Sequence, residues 1–228
     1  MWRSLPRWWP SCPKPKMTAA LREFNERMQT ETGRGTHTEF MDSLSPSEAR
    51  AYLAAFDRWL VGKNPRATAD DYYWRSILVR YFFPDPRREE ADLRCAVALD
   101  PGNVDIWVGL GHMAAEREQW GEAIKCYEAG IKADPLNFFP WYGRAMVYMK
   151  LRRFKKSLQD INTAIKIAPN CAYGYEVRGR IYDKMGDLEK AVADLDLAVR
   201  SSAATPYTQR LRNELWSKFE RKNSLGQQ

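Results

Sequence analysis

The side chains that could carry catalytic or metal chemistry are few and scattered along this chain of 228 residues. Its four cysteines form no CxxC pair, which argues against a zinc ribbon, a redox dithiol and a disulfide-framed secreted domain. Its two histidines, His37 and His112, have no cysteine or aspartate at a spacing that assembles a nucleophile with its base. We therefore predict no catalytic residue and no cofactor.

One histidine has an acid one helical turn away. His112 and Glu116 could share a metal ion only with further ligands, and the sequence offers none at a suitable spacing. We predict no metal site and place His112 in a core or a groove. The sequence indicates a protein that is not an enzyme.

The densest charge in the chain is the basic run "KLRRFKK" at residues 150–156. The formal net charge of the chain is +7, but it is local, because residues 138–171 carry +6 while the segments on either side are neutral or acidic. The run is either a solvated turn or a site that docks an acidic partner or nucleic-acid phosphates. Its cations are Lys150, Arg152, Arg153, Lys155 and Lys156.

The sequence that positions these side chains repeats with a period of 34 residues. Pro101, Pro135 and Pro169 are spaced by this period, and Trp107, Trp141 and Tyr175 repeat on the same step. Small residues repeat as well, in the columns Gly111, Ala145, Gly179 and Ala123, Ser157, Ala191. Several independent columns with one period predict a repeat protein.

Within each unit the apolar spacing is helical and predicts two helices. In the first clear unit these are about 104–117 and a second helix that follows a turn holding Trp120 and Gly121 and ends at Asp134-Pro135. Two helices cannot bury an apolar face alone, so the units must stack.

This pattern resembles the tetratricopeptide repeat (TPR) family. Two departures stand out, Ala114 where the family prefers tyrosine and Arg144 where it prefers leucine. The matching residues of the three clear units are Trp107, Leu110, Gly111, Ala123, Tyr127, Gly130, Pro135; Trp141, Ala145, Tyr148, Ser157, Ala164, Pro169; and Tyr175, Gly179, Tyr182, Ala191, Leu195, Ala198. The resemblance implies an all-α TPR solenoid of antiparallel helix pairs, with an N-terminal helical extension and a C-terminal capping helix.

The chain divides on this basis into seven segments. A fourth unit fits poorly, because Tyr73 takes the aromatic position while Ile77 and Glu89 fall where small residues belong. The predicted segments are a basic Trp/Pro-rich tail at 1–16, a helical extension at 17–66, a degenerate TPR-like helix pair at 67–103, repeats at 104–137, 138–171 and 172–205, and a capping helix at 206–222.

Local signals mark the flanking helices. "SPSE" at 45–48 and "TADD" at 68–71 are helix starts, and Leu21, Phe24 and Met28 share one face of a helix near 18–30. We expect these helices to pack against the first repeat or to form a partner surface. In the capping helix, the residues Tyr207, Leu211, Leu215 and Phe219 recur at every fourth position and predict its buried stripe. The tail at 1–16 has three possible interpretations. It arises from an upstream start codon, with Met17 as the first residue of the working protein, or it is a targeting segment, or it is a docking segment.

The resemblance also implies a binding groove, lined by the first helix of each unit. An aromatic and methionine-rich centre suits an apolar helix or an extended peptide. The alternative occupants are the protein's own tail and a second copy of the chain. Gly109 and Gly143 are expected to leave room in this groove. The predicted groove residues are Val108, His112, Phe139, Tyr142, Met146, Met149, Tyr173, Val177 and Arg180.

The predicted function is that of a non-catalytic scaffold or adaptor that binds a protein or peptide partner. Two alternatives stay open, a chaperone resembling the TPR chaperones of type III secretion translocators and a nucleic-acid-associated subunit that uses the basic run. The sequence has no apolar run long enough to span a membrane. We expect a cytoplasmic protein that is able to self-associate.

Overall fold

The structure is a computed structural model that describes residues 19–31, 37–60, 67–201 and 205–225. These residues form twelve α-helices and no strand, which confirms the all-α prediction. The basic tail at 1–16 lies outside the described residues. The chain divides into two units, residues 1–96 and 97–228.

The first unit contains four helices and most of a fifth. The second of them, a helix of seven residues, was not predicted, because seven residues are too few to show a periodic apolar pattern. The helices are α1 (Ala19–Glu31), α2 (His37–Ser43), α3 (Pro46–Leu60), α4 (Ala69–Phe82) and α5 (Pro86–Leu99), which continues into the second unit.

Both predicted capping boxes are present in the first unit. The Ser45 N–H donates to Glu48 Oε2 at 2.8 Å, and the Glu48 N–H donates back to Ser45 Oγ at 3.2 Å. Thr68 and Asp71 make the same reciprocal pair at the start of α4. Each box satisfies two backbone donors that a helix start leaves without partners, and so fixes where α3 and α4 begin.

The core of the first unit is built around one phenylalanine. Phe24 of α1 makes edge-to-face ring contacts with Phe40, Tyr52, Phe56 and Trp74, at centroid distances of 5.1 to 6.1 Å. The N-terminal helices therefore pack on one another and on α4, the first helix of the degenerate pair. The side chain of Met28 lies outside the described residues.

The second unit consists of three helix pairs and a final helix. Trp120 and Gly121, predicted to lie in a turn, instead begin the second helix of the first pair. The pairs are α6 (Val104–Glu116) with α7 (Trp120–Ala133), α8 (Phe138–Lys150) with α9 (Phe154–Ile167), and α10 (Ala172–Met185) with α11 (Leu188–Arg200), and α12 (Pro206–Leu225) packs on α11.

The two helices of the first pair and of the third pair approach so closely that a glycine is required. A Cβ atom on Gly111 would lie 2.6 Å from Cε1 of Tyr127, and one on Gly179 would lie 3.0 Å from the backbone oxygen of Ala191. The prediction for Gly111 is confirmed. Gly143 was expected to leave room in a groove, and this is wrong: it is buried, and its Cβ would lie 2.4 Å from the same Tyr127 ring. One tyrosine thus fills the space beside two glycines of different helices.

An arginine–aspartate ion pair joins the two helices within the second pair, and an equivalent one joins the two helices within the third pair. Arg144 donates two hydrogen bonds to Asp160, both at 2.8 Å. Arg178, one period later, donates in the same way to Asp194 at 2.8 and 2.7 Å. In both arginines the hydrogen bonds to the carboxylate raise the pKa above its ordinary value. Arg144 therefore departs from the family's leucine because it has a carboxylate partner in α9.

An equivalent ion pair in the degenerate pair shows how the sequence of α4 aligns with the first helices of the later pairs, and this alignment differs from the predicted one. Arg75 of α4 donates to Asp92 of α5 and lies over the ring of Tyr72, as Arg144 lies over Trp141. The aromatic and small positions are thus Tyr72 and Ser76, and the assignment to Tyr73 and Ile77 is wrong. Arg75 and Asp92 are separated by 17 positions, against 16 for the later pairs, so one extra residue between the helices shifts the first by one.

The turn inside each pair of the second unit requires a left-handed backbone at one position. Glu118, Arg152 and Gly186 recur with the period of the repeat and have φ values of 58°, 56° and 85°. Only the last is a glycine, the residue that adopts this conformation without steric cost.

We expect Gly143→Ala to lower the free energy of unfolding by about 1–3 kcal/mol, because the new methyl group would overlap the Tyr127 ring. Gly121→Ala is the matched control, since nothing lies within 4 Å of its Cβ position. It should be neutral or slightly stabilising. Urea denaturation measures both, and equal stability of the two variants would contradict the packing described here.

Removing one partner of the recurring ion pair should be costly. Asp194→Ala leaves the half-buried Arg178 guanidinium without its carboxylate, and we expect a loss of about 2–3 kcal/mol in the free energy of unfolding. The apolar double variant Arg178→Met/Asp194→Leu should recover much of that loss. Thermal unfolding of the single and double variants tests this, and an Asp194→Ala protein as stable as the wild type would refute it.

The left-handed positions predict stability changes of opposite sign. Arg152→Gly should raise the free energy of unfolding, and Gly186→Ala should lower it, each by about 1 kcal/mol, since only a side chain makes the conformation costly. The comparison of their urea midpoints checks the assignment. Shifts in the same direction would show that the backbone at these positions is not the cause.

Candidate functional site

The first helices of the three pairs in the second unit form a continuous surface, since α8 contacts both α6 and α10. Seven of the nine predicted groove residues reach solvent on it, and we call them the first-helix surface. They are Val108, His112, Phe139, Tyr142, Met146, Tyr173 and Arg180.

The two most exposed members of the first-helix surface are aromatic. Phe139 is 49% exposed and Tyr173 is 46% exposed, although both are large and apolar. Each is the second residue of its helix, and the two are separated by one period. The start of α8 is fixed by Asn137, whose side chain accepts a hydrogen bond from the Phe139 N–H at 3.0 Å. The two rings therefore project from equivalent points of neighbouring helices.

Tyr142 lies at the centre of this surface. Its ring stacks on Phe138 with a centroid distance of 5.3 Å, which leaves it half-buried. Burial raises the pKa of its phenol, and the charge of Glu176 raises it further, whereas the positive charge of Arg180 opposes the shift. Tyr142 on α8 is thus electrostatically coupled to α10.

For two of the nine residues, the prediction that they line a groove is wrong. Met149 and Val177 are each only 1% exposed, and both belong to the core shared by α8, α9 and α10. Their helix positions point toward the adjoining helices, where Ile161 and Ile165 of α9 complete the cluster. Position along the helix alone did not reveal this, because the boundary between groove and core depends on how neighbouring helices are rotated.

The predictions missed the role of Glu176 at one end of the first-helix surface. This carboxylate is 8% exposed and accepts a hydrogen bond at 2.8 Å from Thr208 Oγ1 of α12. Pro206, the first residue of α12, follows Ala172, the first residue of α10, by one period, so the period itself indicates that α12 takes the place of a next first helix. The capping helix therefore joins α10 as well as α11.

The buried stripe of α12 also differs from the prediction. Tyr207 is 47% exposed, and Thr208 beside it is buried. Leu215 is buried against α11, with Leu211 and Phe219 packed around it as predicted. At the first turn of α12, Thr208 faces inward in place of Tyr207 because its hydroxyl donates a hydrogen bond to Glu176.

His112 lies on α6 and belongs to the first-helix surface. It is half-buried, and its ring meets that of Tyr127 edge to face at 5.9 Å. No cluster of three or more His, Cys, Asp or Glu side chains suited to a metal ion occurs within the described ranges.

The cations of the basic run lie together at the turn between α8 and α9. Two of them rest over aromatic rings: Lys156 lies 5.5 Å from the centroid of Tyr148, and Arg152 lies 5.8 Å from that of Phe154. All five are exposed, namely Lys150, Arg152, Arg153, Lys155 and Lys156.

Comparison with known proteins identifies the repeat. Tetratricopeptide repeat models match residues 138–171 and 172–205, which are the α8/α9 and α10/α11 pairs. A comparison with curated protein sequences gives no match. Across the part of the chain that the structure describes, none of the helices is both long and apolar enough to cross a membrane.

Solved structures share the fold. MamA residues 41-end from Desulfovibrio magneticus RS-1 is 14% identical with a TM-score of 0.61, and the match covers 83% of this chain and 99% of that one. Cut9 in the Cut9-Hcn1 hetero-tetramer of the APC/C is 15% identical with a TM-score of 0.61, covering 74% of this chain and 33% of that one. Residues 138–205 are therefore two tetratricopeptide repeats, and the chain shares its fold with these solved structures.

Proposed function

We propose that this protein is a non-catalytic scaffold or adaptor that binds a peptide or a helix of a partner protein on its first-helix surface. The observation that carries the proposal is the pair of half-exposed rings, Phe139 and Tyr173, at equivalent points of adjacent helices. Aromatic side chains are enriched at protein interfaces, where they bury a large area with little loss of conformational entropy.

The residues between the two rings suit an apolar partner. Met146 is half-buried beside the core, and its flexible thioether adapts to side chains of different shape. Tyr142 offers a hydroxyl that a partner backbone can bond, and Arg180 supplies a positive charge at the α10 side. A partner with two apolar side chains, spaced to meet Phe139 and Tyr173, would use this surface best.

The acids next to Arg180 on α10 are already engaged by α12. Glu176 is bound by Thr208, and Asp183 accepts a hydrogen bond from Lys218 at 2.5 Å. Arg180 lies between Glu176 and Asp183 on α10. Because α12 already binds both acids, a partner carboxylate could pair with Arg180 without displacing either of them.

We expect the double variant Phe139→Asp/Tyr173→Asp to lose partner binding, because it removes both anchors and places two charges where apolar side chains dock. Each anchor should contribute about 2 kcal/mol, which is about thirtyfold in Kd. The measurement selects peptides from a random phage-displayed library on the full chain and determines their Kd by fluorescence anisotropy.

Leu197→Asp is the matched control, since Leu197 is 46% exposed but lies on α11, a second helix. It should leave the affinity unchanged. Selected peptides that bind the double variant as tightly as the wild type would refute the site. If the protein's own tail or a second copy fills the surface, the selection yields no such peptide and the proposal fails.

A further inference from the structure

The turn between α8 and α9 concentrates positive charge that the fold does not use. Its five cations, which we call the basic turn, are Lys150, Arg152, Arg153, Lys155 and Lys156, and all are exposed. Within the described residues, the structure gives none of the five an acidic partner, whereas Arg144 close by is fully engaged by Asp160. None of the five belongs to the first-helix surface.

The equivalent turns on either side carry the opposite or a balanced charge. Residues 116–122 contain three glutamates and one arginine, and residues 184–190 contain two acids and two lysines. Adjacent packed helices lie about 8–10 Å apart, so these charges are close neighbours of the basic turn along the array. The positive patch is therefore one turn wide, with a net acidic turn on one side and a turn of balanced charge on the other.

This width selects among anionic partners. A nucleic-acid strand that runs across several turns would meet net negative charge on one side of the basic turn and no net positive charge on the other. The rings of the basic turn also offer no stacking platform for bases, since Tyr148 is 8% exposed and both Tyr148 and Phe154 have a cation over them. A short acidic stretch of a protein meets neither obstacle.

We propose that the basic turn docks a short acidic segment of a partner protein, at a second site distinct from the first-helix surface. The contacts with the Tyr148 and Phe154 rings favour one position for each of these two cations, which reduces the side-chain freedom lost when they pair with carboxylates. The two sites would let one chain hold an apolar segment and an acidic segment at once, and this proposal does not depend on the first.

The neighbouring unit provides a variant that removes the charge without harming the turn. Gly186 and Asp187 are the equivalents of Arg152 and Arg153, and Asp187 caps α11 by accepting a hydrogen bond from the Lys190 N–H. The graft Arg152→Gly/Arg153→Asp therefore removes two positive charges, adds one negative charge and supplies a residue suited to the left-handed position. Its thermal unfolding midpoint should be no lower than that of the wild type.

The matched control is the same graft one unit earlier, Glu118→Gly/Gln119→Asp. Glu118 has the same left-handed backbone, and Gln119 provides no side-chain cap. The control makes the same backbone change but leaves the net charge unaltered. It separates an effect of charge from an effect of the turn.

The test measures binding of fluorescein-labelled hexaglutamate and hexauridylate to the full chain by fluorescence anisotropy at low salt. We expect hexaglutamate to bind the wild type and the control equally, and the graft to weaken it roughly tenfold or more. No loss in the graft, or an equal loss in the control, would overturn the proposal. Tighter binding of hexauridylate that the graft abolishes would also overturn it and assign the turn to nucleic acid instead.

Discussion

The structure of the second unit depends on how closely the two helices of a pair approach. At one position of α6 and of α10 there is no space for a side chain, because Tyr127 fills it against Gly111 and the backbone of Ala191 closes it against Gly179. This contact fixes the rotation of each helix about its axis. Once that rotation is set, the apolar sides of both helices face inward, and the remaining side of the first helix becomes a surface. The glycines cost helix propensity, and the packing that they permit offsets that cost.

Polar interactions then fix the pairs at defined positions. The Arg144–Asp160 and Arg178–Asp194 pairs join first and second helices at the same point of two successive units. At the start of the first and second helix pairs, the indole N–H of Trp107 donates to the Pro101 backbone oxygen, and that of Trp141 donates to the Pro135 backbone oxygen. These bonds explain why an aromatic residue follows each of these prolines by six positions. Burial of apolar surface is the dominant favourable term in folding, and these polar contacts recur at equivalent positions of successive repeats.

Function is left to the positions that this framework does not constrain. The turns at Glu118, Arg152 and Gly186 share one backbone conformation but differ in charge, and the starts of α8 and α10 share one geometry while presenting exposed rings. A repeat protein can change its partners in this way without changing its fold. The proposed apolar site and the proposed acidic-segment site both lie at such positions.

The sequence by itself determined the period, the helix pairs, the capping boxes and the resemblance to the tetratricopeptide family, because every unit must bury the same face and so repeats the same residue types. It also located five exposed cations and, of the nine residues predicted to line a groove, seven that reach solvent. Only the tertiary structure decided that Met149 and Val177 belong to the core, that Gly143 makes room for Tyr127, and that Tyr72 rather than Tyr73 is the aromatic residue of the degenerate pair. These assignments depend on the rotation and offset of neighbouring helices by a single residue, and a periodic pattern read along one chain does not contain that information.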